Sequence, residues 1–224
     1  MRAPALRLYI NVKEVYIMRI VTVSREFGSG GREVGKRLAD ALGIAYYDRE
    51  IIAAIAEEAE MDAGYVEHIL DNSLHYSTPL TFSHTLSLNY FVNSSAPQLL
   101  GLQHKIIRSL AEKGDCVIVG RGADAILEAY KPFRIFVYAD MDAKLARCRA
   151  RATADEHLTD RELERKIRQI DKNRADNHDL ISSARWGDRE GYDLCVNTTN
   201  VVIKDVVPHI ADYAKAYFDA SKAE

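Results

Sequence analysis

The sequence predicts an α/β fold, a three-layer parallel sheet with helices on both faces, and three observations carry that reading. Short apolar, β-branched runs alternate with helical stretches along the 224 residues. The runs are apolar throughout, as strands buried on both faces must be. The segment RIVTVSREFGSGGREVGKRL (Arg19–Leu38) reads as a strand, a glycine-rich loop and a helix.

The elements follow in order. Ile20 to Val23 is the first strand and Ser24 to Gly31 the loop after it. From Arg32 onward, Val34, Leu38, Ala41 and Leu42 share one helical face, and Gly43 can end that helix. Ile44 to Asp48 reads as a second strand with Asp48 at its tip, and residues 49–61 as a helix. Residues 62–100, rich in Ser, Thr, Asn, His and Tyr, read as a mobile, mainly helical insertion, and Gln103 to Lys113 as a return to helix. Asp115 to Gly120 is a buried strand, followed by a helix from about Asp124 to Ala129 and a strand over Arg134–Ala139. Charged helices over Asp142–Arg151 and Asp160–Arg174, a last strand over Tyr192–Thr198 and a closing helix over Val201–Phe218 complete the pattern. Pro208 is either tolerated in that last helix or breaks it.

Composition narrows the function. A net charge of −3 lacks the basic footprint of a nonspecific nucleic-acid binder, so no nucleic-acid partner is expected. Basic residues nevertheless cluster between Lys144 and Arg174, which suits a small anionic ligand. Cys116, Cys148 and Cys195 form neither a disulfide framework nor a zinc pattern, and fit small buried or half-buried residues in a reducing cytoplasm. The seven histidines show no metal-ligand spacing, and no residue is assigned as a metal ligand. No apolar run approaches the ~18 residues of a membrane span, so no membrane partner is expected. The opening MRAPALRLYINVKEVYIM lacks the apolar core of a signal peptide, and residues 1–17 read as a start-site artefact or a loose extension. Oligomeric state is not readable.

The loop has the chemistry of a phosphate cradle, because glycines let backbone N–H groups converge at a helix N-terminus. Three registers compete. The dinucleotide fingerprint fails, since Glu33 stands where the third glycine belongs. A G-x-x-x-x-G-K register at Gly30, Gly35 and Lys36 puts Arg37 in place of Ser or Thr. It also turns Lys36 about 200° from Val34 and out to solvent. The preferred register aligns Gly28-Ser29-Gly30 with the end of a phosphate loop. Gly31 then takes the lysine position, Arg32 and Glu33 take the Ser/Thr places, and Arg32 is the candidate substitute charge. A glycine-rich turn with no ligand is the alternative.

Four segments, IVTVSREFGSGGREVGKRLADALG, YYDREII, VIVGRGADAIL and RWGDREGYDLCVNTT, resemble in order and spacing the cytidylate kinase-like family of P-loop nucleoside monophosphate kinases. The resemblance runs from about Met18 to Phe218 as a single domain within 18–224. It implies a P-loop core, a helical monophosphate-binding insertion over 62–100 and a lid over 142–176. It implies ATP and Mg2+ as cofactors and transfer of the γ-phosphoryl group to CMP or dCMP. This chain departs from the family's Lys-Ser/Thr pair with Gly31-Arg32, and from its G-R-D motif with Gly122 after Arg121, Asp124 lying nearby.

By that resemblance Ser24, Gly28, Ser29, Gly30, Gly31, Arg32 and Glu33 would bind the nucleotide. Asp48, Arg49 and Arg121 would place the acceptor. Arg32, Arg121, Arg147, Arg151 and Arg174 would stabilise the transferring group. Arg147 and Arg151 share a helical face, while Arg149 points elsewhere. Asn197-Thr198-Thr199 would lie near the adenine. Plainer readings stand beside these: Asp48 as a helix N-cap, Arg121 as a surface turn residue, the lid arginines as a solvated helix pair and Trp186 as a packing anchor. The rival functions are a kinase for another small acceptor, a nucleotide-binding regulator without turnover and, more distantly, a dinucleotide-dependent oxidoreductase.

Overall fold

The computed structural model describes residues 18–71, 86–152 and 158–221, without the side chains of 86–95 and 221. Strands β1 (Ile20–Arg25), β2 (Ala45–Tyr47), β3 (Cys116–Val119), β4 (Phe133–Tyr138) and β5 (Leu194–Asn197) form one parallel sheet in the order β2-β3-β1-β4-β5. The helices are α1 (Gly31–Leu42), α2 (Arg49–Ala59), α3 (Ala63–Asp71), α4 (Leu86–Ala111), α5 (Ala123–Ile126), α6 (Met141–Arg151), α7 (Asp160–Asp179) and α8 (Ile203–Ser221).

Strand alternation divides the core into two layers. Ile20, Cys116 and Ile118 face one side and pack with Ile51, Ile55, Val66 and Ile107 of α2, α3 and α4. Val21, Val23, Val117 and Val119 face the other and pack with Val34 and Leu38 of α1 and Ile210 and Ala214 of α8. Each large side chain buried this way stabilises by roughly 1.5–3 kcal/mol. The sequence's two-faced parallel sheet is therefore the observed one.

The chain leaves β1 toward the edge strand β2, but leaves β3 toward β4 on the other side of β1. The direction in which the connections run across the sheet reverses there, and ligands of open parallel sheets bind at the carboxyl ends of such neighbours. Pairing sets Val23 opposite Val119, so the residues just beyond them emerge side by side.

Several boundaries differ from expectation. β1 runs on through Ser24 and Arg25, because its ladder with β4 continues to Ser24 opposite Phe136 and Arg25 opposite Val137. The loop is correspondingly shorter. The expected insertion contains α3 and the first part of α4, which continues unbroken past Pro97 to Ala111. Residues 72–85, with His75 and His84, and residues 1–17 lie outside the described residues. Pro208 sits inside a continuous α8. Gly43 ends α1 in a left-handed conformation, as its position suggests. Cys116 is buried and Cys148 half-buried, but Cys195 is exposed, on the edge strand β5. Trp186 packs edge-on against Phe136 at 5.2 Å.

Gly35, the glycine of the discarded register, lies buried inside α1, where a Cβ would sit 2.6 Å from Val119 Cγ2. It sets how closely α1 approaches the sheet. Gly35→Val overpacks this contact and should lower stability by about 1–3 kcal/mol. Urea unfolding checks this, with a smaller denaturation midpoint and an unchanged slope expected.

Candidate functional site

The loop between β1 and α1 is folded by its own polar groups. Ser29 Oγ donates to the Glu26 carbonyl at 2.8 Å, and the Thr198 hydroxyl donates to the Ser29 carbonyl at 2.7 Å. Ser29 is fully buried, so it shapes the loop and presents no hydroxyl to a ligand. Thr198 is likewise buried and spent on this tie, not turned toward a base. Gly28 and Gly30 both have left-handed backbones. Gly30 is the N-cap of α1 and offers no side-chain hydrogen bond, which leaves the helix's first N–H groups for an anion.

Two clefts open at this end of the sheet. The larger, about 470 Å³, lies between the loop and α6–α7 and is lined by Gly28, Gly30, Gly31, Arg147 and Arg151 among others. The smaller, about 70 Å³, lies over β3 and is lined by Ser24, Gln103, Gly120, Arg121 and Trp186 among others. Arg25, Arg32, Asp71 and Arg174 line both, so three arginines stand where the clefts meet.

No sequence motif marks Arg25, which stands three residues before Gly28. Its stem crosses Gly31, where a Cβ would stand only 2.8 Å from Arg25 Cγ. Its guanidinium rests on Gly120, where a Cβ would meet Nη2 at 2.7 Å. The two glycines leave the volume that this side chain fills. Burial, then the charges of Arg174 and Arg121, hold Arg25 well below the usual arginine range, with Asp48 opposing. Arginine stays charged in proteins nonetheless.

The other candidate residues divide. Arg32 Nε pairs with Asp48 at 2.8 Å, and this is what the Asp48 carboxylate does; it forms no N-cap bond to α2. Arg174 Nη1 donates to the Arg25 carbonyl at 3.1 Å, and burial lowers its pKa. Arg121 has φ +62, rare for a side chain-bearing residue. Its guanidinium meets Asp71 at 2.5 Å and Glu67 at 3.7 Å. Arg147 donates to the Thr198 carbonyl, while its Nη1 is buried without a partner. Arg151 pairs with Glu33 at 3.2 Å.

Four residues lie elsewhere than the sequence suggests. Ser24 belongs to β1 and faces the smaller cleft, not the loop's cleft, because strand pairing carries past it. Glu33 lines neither cleft, since Arg37 and Arg151 both engage its carboxylate. Arg49 is exposed and lines neither cleft, because it opens α2 on the outer side. Arg149 does reach the larger cleft, with Asp160 holding its guanidinium at 2.7 Å. Lys36, by contrast, is the exposed surface lysine expected, paired with Asp40.

Helices α6 and α7 are anchored by a residue whose role the sequence does not signal. Lys144 is buried and bonds Glu26 at 2.7 Å and Asp171 at 3.2 Å, and Asp171 also accepts from the Phe27 N–H at 2.6 Å. One ammonium thus ties loop, α6 and α7 together. Burial raises the Asp171 pKa despite these partners. Beside the smaller cleft, buried His178 meets Asp124 at 2.9 Å and Asp179 at 3.4 Å. Burial presses the imidazolium downward, but the two carboxylates outweigh it and leave the pKa above the ordinary histidine value.

The residues fit a nucleotide's phosphates: a free helix N-terminus, left-handed glycines and the side chain of Arg147, which keeps a buried N–H without a partner, all belong to the wall of the larger cleft. Among the described residues no three His, Cys, Asp or Glu side chains converge on a metal position. Magnesium commonly binds through substrate phosphates and one or two carboxylates. Among the described residues, no helix is long and apolar enough to cross a membrane.

A model of the cytidylate kinase-like family matches residues 20–200, more than half the chain. No curated protein matches it. Among solved structures, an uncharacterized protein from Eubacterium ventriosum is 26% identical, with a TM-score of 0.61, covering 88% of this chain and 98% of its own. A shikimate kinase from Bacteroides thetaiotaomicron is 16% identical, with a TM-score of 0.56, covering 88% and 99%. A shikimate kinase from Acinetobacter baumannii, solved in complex with shikimate, is 15% identical, with a TM-score of 0.52, covering 91% and 96%. At these last two identities the likeness concerns the fold alone, and it agrees with the parallel sheet described above.

The raised pKa of His178 has a consequence for stability. A histidine at ~6.5 when unfolded and higher when folded stabilises fully below ~6.5, and the contribution is lost as pH rises through the folded value. Thermal melts from pH 6 to 9 should therefore show the native chain losing stability relative to His178→Gln, which does not titrate. Parallel curves would contradict the assignment.

Proposed function

The chain belongs to the cytidylate kinase-like family, and from that premise we propose that it transfers the γ-phosphoryl group of ATP to a nucleoside monophosphate, CMP or dCMP before others. The observation that carries this reading is the shared wall of two clefts, where Arg25, Arg32 and Arg174 converge. Phosphoryl transfer asks little covalent help of a protein. It needs donor and acceptor in line, and positive charge around the oxygens that pass between them.

In this reading the larger cleft takes the triphosphate, with the α1 N-terminus cradling its phosphates. Magnesium supplies charge neutralisation on the phosphate oxygens. Arg147 and Arg151 approach the phosphates from α6, and Arg174 from α7. The smaller cleft takes the acceptor, whose anionic group displaces Asp71 from Arg121. Helices α6 and α7 keep water from competing as acceptor. Residues 18–224 act as one domain, with α3 and the start of α4 forming the acceptor side.

A second reading keeps the donor and changes the acceptor to a smaller anion. The cleft volume of about 70 Å³ favours it, because pockets for drug-sized ligands usually measure ~300–1,000 Å³.

ATP consumption with magnesium, measured across CMP, dCMP, UMP, AMP, GMP and shikimate with product identification, decides between the two. Diphosphate from CMP or dCMP supports the first reading, and phosphorylation of shikimate alone the second. ATP binding without any product would leave a nucleotide-binding regulator. With the preferred acceptor, Arg121→Ala should raise its KM at least tenfold, about 1.4 kcal/mol. The ATP dissociation constant should change less than threefold. Equal weakening of both would remove Arg121 from the acceptor side.

A further inference from the structure

Phosphate loops commonly carry a lysine at the start of the helix, reaching the β- and γ-phosphates. Here that position is Gly31, the first residue of α1. Arg32, the nearest substitute in sequence, is drawn to Asp48. The charge has to come from elsewhere if the loop is to work on a triphosphate.

We propose that Arg25, the last residue of β1, takes the lysine's place and binds the phosphoryl group passing between the two clefts. The inference rests on the phosphotransfer reading above and adds the residue that makes it workable. Three features of the structure carry it. First, the space a side chain at Gly31 would enter already holds the Arg25 stem, so Arg25 and a lysine at 31 exclude one another. Second, the guanidinium is delivered onto Gly120, at the tip of the adjacent strand, and lies in the wall common to both clefts. Third, among the described residues Arg25 makes no ion pair, whereas Arg32, Arg121 and Arg174 each face a carboxylate. A guanidinium held among cations, with Asp48 acting on it only at a distance and no carboxylate paired to it among the described residues, is set to receive an anion. Its planar fork suits two phosphoryl oxygens.

The exchange of positions can be tested directly. Four variants are compared with the native chain: Arg25→Ala, Arg25→Met, Gly31→Lys and the double Arg25→Ala/Gly31→Lys. Arg25→Met keeps the stem over Gly31 without the charge, and circular dichroism melts confirm which variants fold. ATP with magnesium is titrated calorimetrically, and turnover is followed on whichever acceptor the native chain uses. Arg25→Ala and Arg25→Met should weaken ATP binding at least tenfold and turnover by ~10²-fold or more, the scale of losing one preorganised donor. Gly31→Lys alone should also be impaired, because the two side chains compete for one volume. The double variant should recover at least tenfold over Arg25→Ala in both measurements. Native ATP affinity in a folded Arg25→Met, or a double variant no better than Arg25→Ala, would overturn the inference. If no acceptor is ever phosphorylated, the kinase reading fails alone, and the ATP titrations still decide the role of Arg25.

Discussion

The site depends on one side chain laid across two glycines. Arg25 leaves the central strand, passes over Gly31 and ends on Gly120. This path is available only because β1 and β3 are neighbours in register and neither glycine carries a Cβ. The same placement organises what surrounds it. Arg174 reaches in from α7 to bond the Arg25 carbonyl, and the next residue, Glu26, receives Lys144 from α6. The end of β1, the loop, α6 and α7 are thereby fastened at a single point.

That arrangement concentrates positive charge in a protein whose net charge is −3. After burial, the charges of Arg174, Arg121 and Arg32 oppose the ionisation of Arg25, and those of Arg32 and Arg121 oppose that of Arg174. Asp48, Asp71 and Asp171 offset part of this, each with one side chain near the cluster. In a partly buried, low-dielectric setting such repulsion is felt more strongly than in water. On the proposed function, a phosphate-bearing ligand would relieve it. The acids are thus as much part of the design as the arginines, since they hold the cluster together while no anion occupies it.

The fold was largely legible in the sequence, because apolar strands and helix-face periodicity follow directly from burial. The carboxyl end of β1 was not. A short run such as Ser24-Arg25 is polar, yet its backbone is pinned by β4, and pairing partners leave no trace in local sequence. The glycine loop is legible in the sequence, and it directs attention forward in the chain to Arg32, whereas the side chain that lies across Gly31 belongs to Arg25, behind it. The signal that could have revealed Arg25 is the absence of a side chain at Gly31 and Gly120 together, which only a three-dimensional contact explains. Lys144 is hidden for a similar reason, since α6 reads as a charged surface helix while its one lysine is buried between two carboxylates. Ser29 and Thr198 look ligand-facing by residue type, but their hydroxyls are consumed in closing the loop.

The most direct test of the account is a crystal structure with ADP, magnesium and a planar aluminium fluoride standing for the transferring phosphoryl group. The account predicts the fluoride in the wall shared by the two clefts, within hydrogen-bonding distance of the Arg25 guanidinium and with Arg174 alongside. A nucleotide bound with its phosphates elsewhere, or a fluoride contacted by Arg32 while Arg25 stays on Gly120 without touching it, would contradict it.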